Sequence, residues 1–153
     1  MSSRGRSEAT QHNSMLTPFR QGTVLLLTQN EQLAGIVSHA IESLEPNVPR
    51  LSTVRNASDC FVALRLLGPS LVVLDDASDP DAGVELLERL LQARPKTPVV
   101  YVTSHHTIEL EREVRRRGVL FYVEMPSSHE ALDMALTRLL GSLVRDTPER
   151  DKS

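Results

Sequence analysis

The stretch from Ser70 to Gly83 constrains the fold more than any other. Leu71 to Leu74 are four apolar residues in a row, followed at once by the carboxylates Asp75 and Asp76. A short uninterrupted apolar run with β-branched members, bounded by turn residues, reads as a strand buried on both faces. Such a strand needs helices above and below its sheet. A polar loop with Pro80 comes next, and Gly83 is expected to open an amphipathic helix. Loops at the carboxyl ends of strands hold the ligands in an open α/β sheet. Asp75 falls there, where chemistry is expected; the plainer alternative is that it ends the strand and caps the turn.

The rest of the chain repeats this unit. Thr23–Leu27 is a first buried strand, ending on the polar, uncharged Thr28, Gln29 and Asn30. Leu33, Ile36, Val37, Ala40, Ile41 and Leu44 recur at the helical period between Glu31 and Leu44. Glu45-Pro46-Asn47 stops that helix, and Leu51–Val54 is a shorter strand. Asn56 or Ser58 caps a helix carrying Phe61, Leu64 and Leu67, which Gly68-Pro69 ends. Val84, Leu87, Leu90 and Leu91 mark a third helix, and Val99–Val102 a fourth strand closing on Thr103-Ser104-His105-His106. Thr107 to Arg117 is the most polar helix, and Gly118 ends it. Val119–Val123 is the fifth strand; Ser127 or Ser128 then caps a helix with Leu132, Ala135, Leu136 and Leu139. Five strands alternating with five helices predict one α/β domain, a flavodoxin-like doubly wound (βα)5 sandwich with a parallel sheet and right-handed crossovers. The domain is expected over 22–143. Residues 1–21, polar and without apolar period, read as a disordered, solvated arm. Residues 144–153 read as a charged, frayed tail.

Composition narrows the function. The chain has 153 residues with net charge −3, so it carries no electrostatic footprint for nucleic acid. Aromatics are 3% with no Trp, which argues against stacking on bases. The one cysteine, Cys60, excludes an internal disulfide or cysteine-based zinc site and suits an apolar helix face. No apolar run approaches the ~20 residues that span a bilayer, and no signal-peptide core is present, so a cytoplasmic protein without membrane contact is expected. No G-x-G-x-x-G, no G-x-x-x-x-G-K-[ST] and no G-x-S-x-G occurs, against a dinucleotide dehydrogenase, a P-loop enzyme and a serine hydrolase.

From about residue 22 to 143 the chain resembles the receiver (CheY-like) domain of bacterial two-component response regulators, whose sheet runs in strand order 2-1-3-4-5. Leu71–Asp75 is similar to the family's third strand, which ends on the phosphoacceptor aspartate. Gly83 matches the glycine of the third helix. Pro98–Ser104 resembles the fourth strand, with Thr103 at the switch position. Gly118 and Tyr122 resemble the fifth-strand region, Tyr122 at the aromatic switch position, and Pro126 matches a family proline.

The departures carry the functional expectation. The family's acidic pair, which holds Mg²⁺ with the phosphoacceptor, falls on Thr28 and Gln29, and its lysine on Met125; the loop proline is displaced by one, to Pro80. Phosphoryl transfer onto a carboxylate brings anion to anion, and catalysis is positioning plus electrostatics. Mg²⁺ wants hard oxygen ligands, one or two of them carboxylates. Losing a single electrostatic element of this kind costs about 10²–10³ in rate. The resemblance therefore implies a degenerate receiver, a pseudo-receiver, with no catalytic residues, no cofactor and weak or absent Mg²⁺ binding. Asp76, Asp79 and Asp81 offer a substitute metal site, but loop and capping roles are favoured for them.

The remaining candidates are surface features. His105 and His106 lack the further ligands a zinc site needs and read as an exposed loop pair. Arg115, Arg116 and Arg117 either pair with a partner or suit a helix carboxyl end; both readings stay open. The resemblance implies a partner or homodimer surface formed by the fourth helix, fifth strand and fifth helix, about residues 107–140. Partners are expected to be proteins, a histidine kinase-linked signalling component among them. No output domain is seen in the chain, so output is expected through protein contact, with Thr103 and Tyr122 toggling under a partner's bias. The alternatives are a conventional receiver phosphorylated on Asp75, and a flavodoxin-like enzyme or small-ligand binder using Thr28, Gln29, Asp75 and Thr103.

Overall fold

A computed structural model describes residues 22–46, 48–125 and 129–152. The elements alternate as expected: β1 Thr23–Leu27, α1 Glu31–Glu42, β2 Arg50–Val54, α2 Ala57–Leu67, β3 Leu71–Asp75, α3 Pro80–Ala93, β4 Val99–Thr103, α4 Ile108–Arg116, β5 Phe121–Glu124 and α5 His129–Lys152. All strand pairings are parallel and the sheet order is β2-β1-β3-β4-β5. β1, β3 and β4 are interior strands, which is why they are the apolar runs.

Alternation along those strands builds two cores. Val24, Leu26, Leu71, Val73, Val100 and Val102 point to the side covered by α1 and α5, where Leu33, Val37, Leu132 and Leu136 pack. Their neighbours Leu25, Leu27, Val72, Leu74, Val99 and Tyr101 point to the other side, under α2, α3 and α4. A side-chain period of two gives one strand a face in each core. Cys60 is fully buried on α2, and that burial pushes its thiol up to about 11.

Helix ends follow local chemistry. Asn56, not Ser58, caps α2 through its side chain, accepting from Asp59 N–H at 2.8 Å. Gly68 ends α2 at φ +55 and Gly118 follows α4 at φ +93, a backbone region open to glycine. α3 begins at Pro80, three residues before the expected Gly83. Asp79 Oδ1 accepts from Ala82 N–H at 3.2 Å, and proline's fixed φ suits the first helical turn. α1 is followed by a turn from Ser43, so it stops at Glu42, short of Leu44. β5 begins at Phe121; Val119 and Leu120 belong to the turn that Gly118 opens.

Helix α5 spans His129–Lys152, so residues 144–152 of the expected charged tail are helical. The 1–21 arm, Asn47, Pro126 and the Ser127 or Ser128 cap lie outside the described residues. Among the described residues no helix is long and apolar enough to cross a membrane.

Candidate functional site

The carboxyl ends of β1 and β3 and the start of α2 enclose an open cleft of about 370 Å³. Thr28, Gln29, Arg55, Asn56, Asp75, Asp76 and Asp79 supply its polar wall. Thr28, Gln29 and Asp75 thus meet as the sequence suggested, although 47 residues separate Thr28 from Asp75. Thr103 does not line this cleft. It is fully buried at the end of β4, and its Oγ1 accepts from His105 N–H at 3.0 Å.

Inside the cleft Asp75 is satisfied by neutral donors. Thr28 Oγ1 donates to Asp75 Oδ2 at 2.6 Å, and Ala77 N–H donates to Oδ1 at 3.1 Å. The same Thr28 oxygen accepts from Asn30 N–H at 2.9 Å, so the end of β1 holds its hydroxyl in place. Thr28 is only 4% exposed. Gln29 turns away; its Nε2 donates to the Arg55 carbonyl at 3.1 Å. The Arg55 side chain is exposed at the rim.

The other carboxylates of the loop have their own work. Asp76 is 4% exposed; its Oδ2 accepts from Tyr101 O–H at 2.9 Å and its Oδ1 from Ser78 N–H at 3.2 Å. Asp79 caps α3, and Asp81 lies in that helix's first turn. The two Asx-type bonds hold Ala77 and Ser78 at φ +54 and +65, a conformation costing non-glycine residues about 1–2 kcal/mol each. Ser78 Oγ lies 3.3 Å from Ser104 Oγ, joining this loop to the one after β4. Among the described residues no group of three His, Cys, Asp or Glu side chains is gathered for a metal ion.

Met125 is 6% exposed and packs with Val102, Leu132 and Leu136 in the core under α1 and α5. An apolar thioether can sink into that core, whereas an ammonium there would need water or an anion.

Tyr122 is 8% exposed and its ring stacks on Tyr101, with centroids 6.0 Å apart. Its hydroxyl lies 3.0 Å from His106 Nδ1, so His106 is not the free loop residue expected of it; His105 is exposed. Burial, with the charges of Glu111 and Asp76, pushes the Tyr122 phenol up to about 12. Burial and the adjoining Asp76 raise Tyr101 well above the usual tyrosine range. Sequence reasoning missed Tyr101, whose position in β4 reads as one more apolar residue. The one signal was Gly83, where a Cβ would sit 2.5 Å from the Tyr101 hydroxyl and 2.4 Å from Asp76 Cβ.

The arginines at the end of α4 are paired within the chain. Arg115 binds Glu111 at 2.8 Å and Arg116 pairs with Glu113. Arg117 donates through Nε to Glu88 on α3 at 3.0 Å and through Nη1 to Glu113 Oε2 at 2.8 Å. Those carboxylates raise the Arg117 guanidinium, and Arg117 holds the Glu113 carboxyl below its usual range. Arg117 is therefore a brace between α3 and α4.

No protein-family model matches the chain. A response regulator from Thermotoga maritima superposes with a TM-score of 0.68, covering 80% of this chain and 98% of that one at 19% identity. A response regulator receiver domain protein (CheY-like) from Methanospirillum hungatei superposes with a TM-score of 0.63, covering 82% and 98% at 16% identity. This is a response-regulator receiver fold. In sequence, the transcriptional regulatory protein DpiA of Escherichia coli is 28% identical over 116 residues, which are 76% of this chain and 51% of DpiA. The chain thus spans about half the length of that relative. The receiver resemblance read from the sequence is supported over the same stretch.

Proposed function

We propose that this receiver domain is a pseudo-receiver, which signals by binding a protein partner with little or no phosphorylation of Asp75. The observation carrying this reading is the 2.6 Å bond from the Thr28 hydroxyl to Asp75 Oδ2. A neutral donor occupies one oxygen of the carboxylate that would have to meet a metal and a phosphoryl group. The residues present do not fit Mg²⁺: Thr28 is neutral, Gln29 turns to a carbonyl, and both Asp76 oxygens accept hydrogen bonds. Asp75, with both its oxygens already accepting from Thr28 and Ala77, is by itself a poor set for so hard a cation. Met125, a buried and uncharged thioether, supplies no cation, and positioned charge is what phosphoryl transfer requires.

On this reading the domain is not an enzyme and needs no cofactor. Its partner surface is built by α4, β5 and α5, with Ile108, Phe121 and Met134 as exposed apolar contacts and Arg115 and Arg116 beside them. A histidine kinase-linked protein, another signalling component or a second copy of the chain is the occupant.

The test is amide NMR of the protein titrated with Mg²⁺ and beryllium fluoride, which mimics an aspartyl phosphate. An unchanged spectrum at millimolar concentrations is expected. Shifts centred on Asp75 that vanish in Asp75→Asn would instead support a conventional receiver and end this reading.

A further inference from the structure

Tyr101 and Tyr122 are the chain's two tyrosines. Their rings stack in planes 2° from parallel, and each phenol is anchored at a different end. Tyr101 is fully buried and its hydroxyl donates to the buried Asp76 carboxylate. Tyr122 meets His106 Nδ1 through its hydroxyl, the imidazole stands edge-on to its ring at 5.7 Å, and the Arg115 guanidinium lies 5.8 Å from the ring centroid. A continuous series of contacts runs from Asp76, in the cleft wall, through both rings to His106, just before α4. Neither Asp75 nor Thr103 belongs to it.

We propose that Asp76, Tyr101 and His106 are positioning residues that hold Tyr122 in its buried place with no group on Asp75, so that the α4–β5 surface is presented in one fixed form. The inference rests on the pseudo-receiver reading, to which it adds the means. β5 is the edge strand, where a tyrosine ring has a short path to solvent. To take it, Tyr122 must part from His106, unstack from Tyr101 and expose its apolar ring. The ring beneath cannot slide to follow it. Tyr101 is tethered to Asp76, and Gly83 leaves no slack beside its hydroxyl.

Two tyrosines make a clean assay. The full chain is treated with tetranitromethane, which nitrates accessible phenols, and the modification of Tyr122 is followed by peptide mass spectrometry. Losing one neutral hydrogen bond shifts an open–closed balance by about two- to tenfold. His106→Ala should raise the Tyr122 nitration rate by that factor. Tyr101→Phe keeps the ring and removes only the bond to Asp76, and it should raise the rate as well. Cooperative melting near the wild-type temperature shows that neither effect is unfolding. If Tyr101→Phe fails to fold, His106→Ala alone decides. Wild-type nitration rates in the folded variants overturn the proposal. Mg²⁺ with beryllium fluoride is the separate arm: a changed Tyr122 rate in the wild-type protein defeats the pseudo-receiver reading, whatever the variants do.

Discussion

Two glycines in helices should respond to the same substitution with opposite signs. Gly83 lies in the first turn of α3, fully covered, where an added Cβ would stand 2.4 Å from Asp76 Cβ and 2.5 Å from the Tyr101 hydroxyl. Gly35 lies on the exposed face of α1 with nothing within 4 Å of that position. Alanine in a helix is favoured over glycine by about 1 kcal/mol, and this gain applies at both sites. At Gly83 it is opposed by overpacking, typically about 1–3 kcal/mol. Relief of the clash pushes Tyr101 off Asp76, and a buried carboxylate deprived of its donor costs about 1–3 kcal/mol more. Gly83→Ala should therefore lose about 3 kcal/mol, while Gly35→Ala gains close to 1, with each kcal/mol worth about 3 °C in melting temperature. Urea denaturation of both variants measures the difference. Tyr101→Phe removes the atom at 2.5 Å, so the two losses should be less than additive in the Gly83→Ala, Tyr101→Phe double variant. Equal stability of Gly83→Ala and Gly35→Ala would refute the packing argument.

Three further outcomes follow from the geometry. Thr28→Val keeps the shape but leaves Asp75 Oδ2 and the Asn30 N–H without their shared partner, so urea denaturation should show a loss of about 1–3 kcal/mol. Arg117→Met should cost about 1 kcal/mol or less in global stability, because Glu88 is half exposed, yet hydrogen exchange should report faster opening of α4. The Glu113 share of this brace is present above the ordinary carboxylate pKa and is lost as pH falls through its depressed folded value. Both tyrosine phenols are raised in the fold, so absorbance near 295 nm should show no ionisation at pH 10 in the folded protein and a full transition there in urea. The stability tied to Tyr122 is then complete below pH 10 and declines as pH rises towards about 12.

The elements were readable because their signals are local. Leu71–Leu74 and Val99–Val102 announce interior strands by being apolar without a break, and a strand with one wet face could not look like that. Asn56 and Gly68 bound α2 through bonds and dihedrals that span three or four residues. The receiver resemblance rests on the same local features in series; of the pocket expected from Thr28, Gln29, Asp75 and Thr103, the first three line one cleft and Thr103 does not.

What the tertiary structure alone decided is how the polar atoms pair. Nothing in the run Val-Val-Tyr-Val-Thr marks Tyr101 as a donor, and nothing in Asp75-Asp76 says that the second carboxylate accepts from it. Asp76 meets Tyr101 across 25 residues, and His106 meets Tyr122 across 16. Met125 likewise lies in the core, buried in one apolar cluster with Leu132 and Leu136 of α5. Strand and helix follow from periodicities that a chain carries along itself. Hydrogen-bond partners depend on which strand ends the parallel sheet sets side by side, and that register is a property of the packed whole.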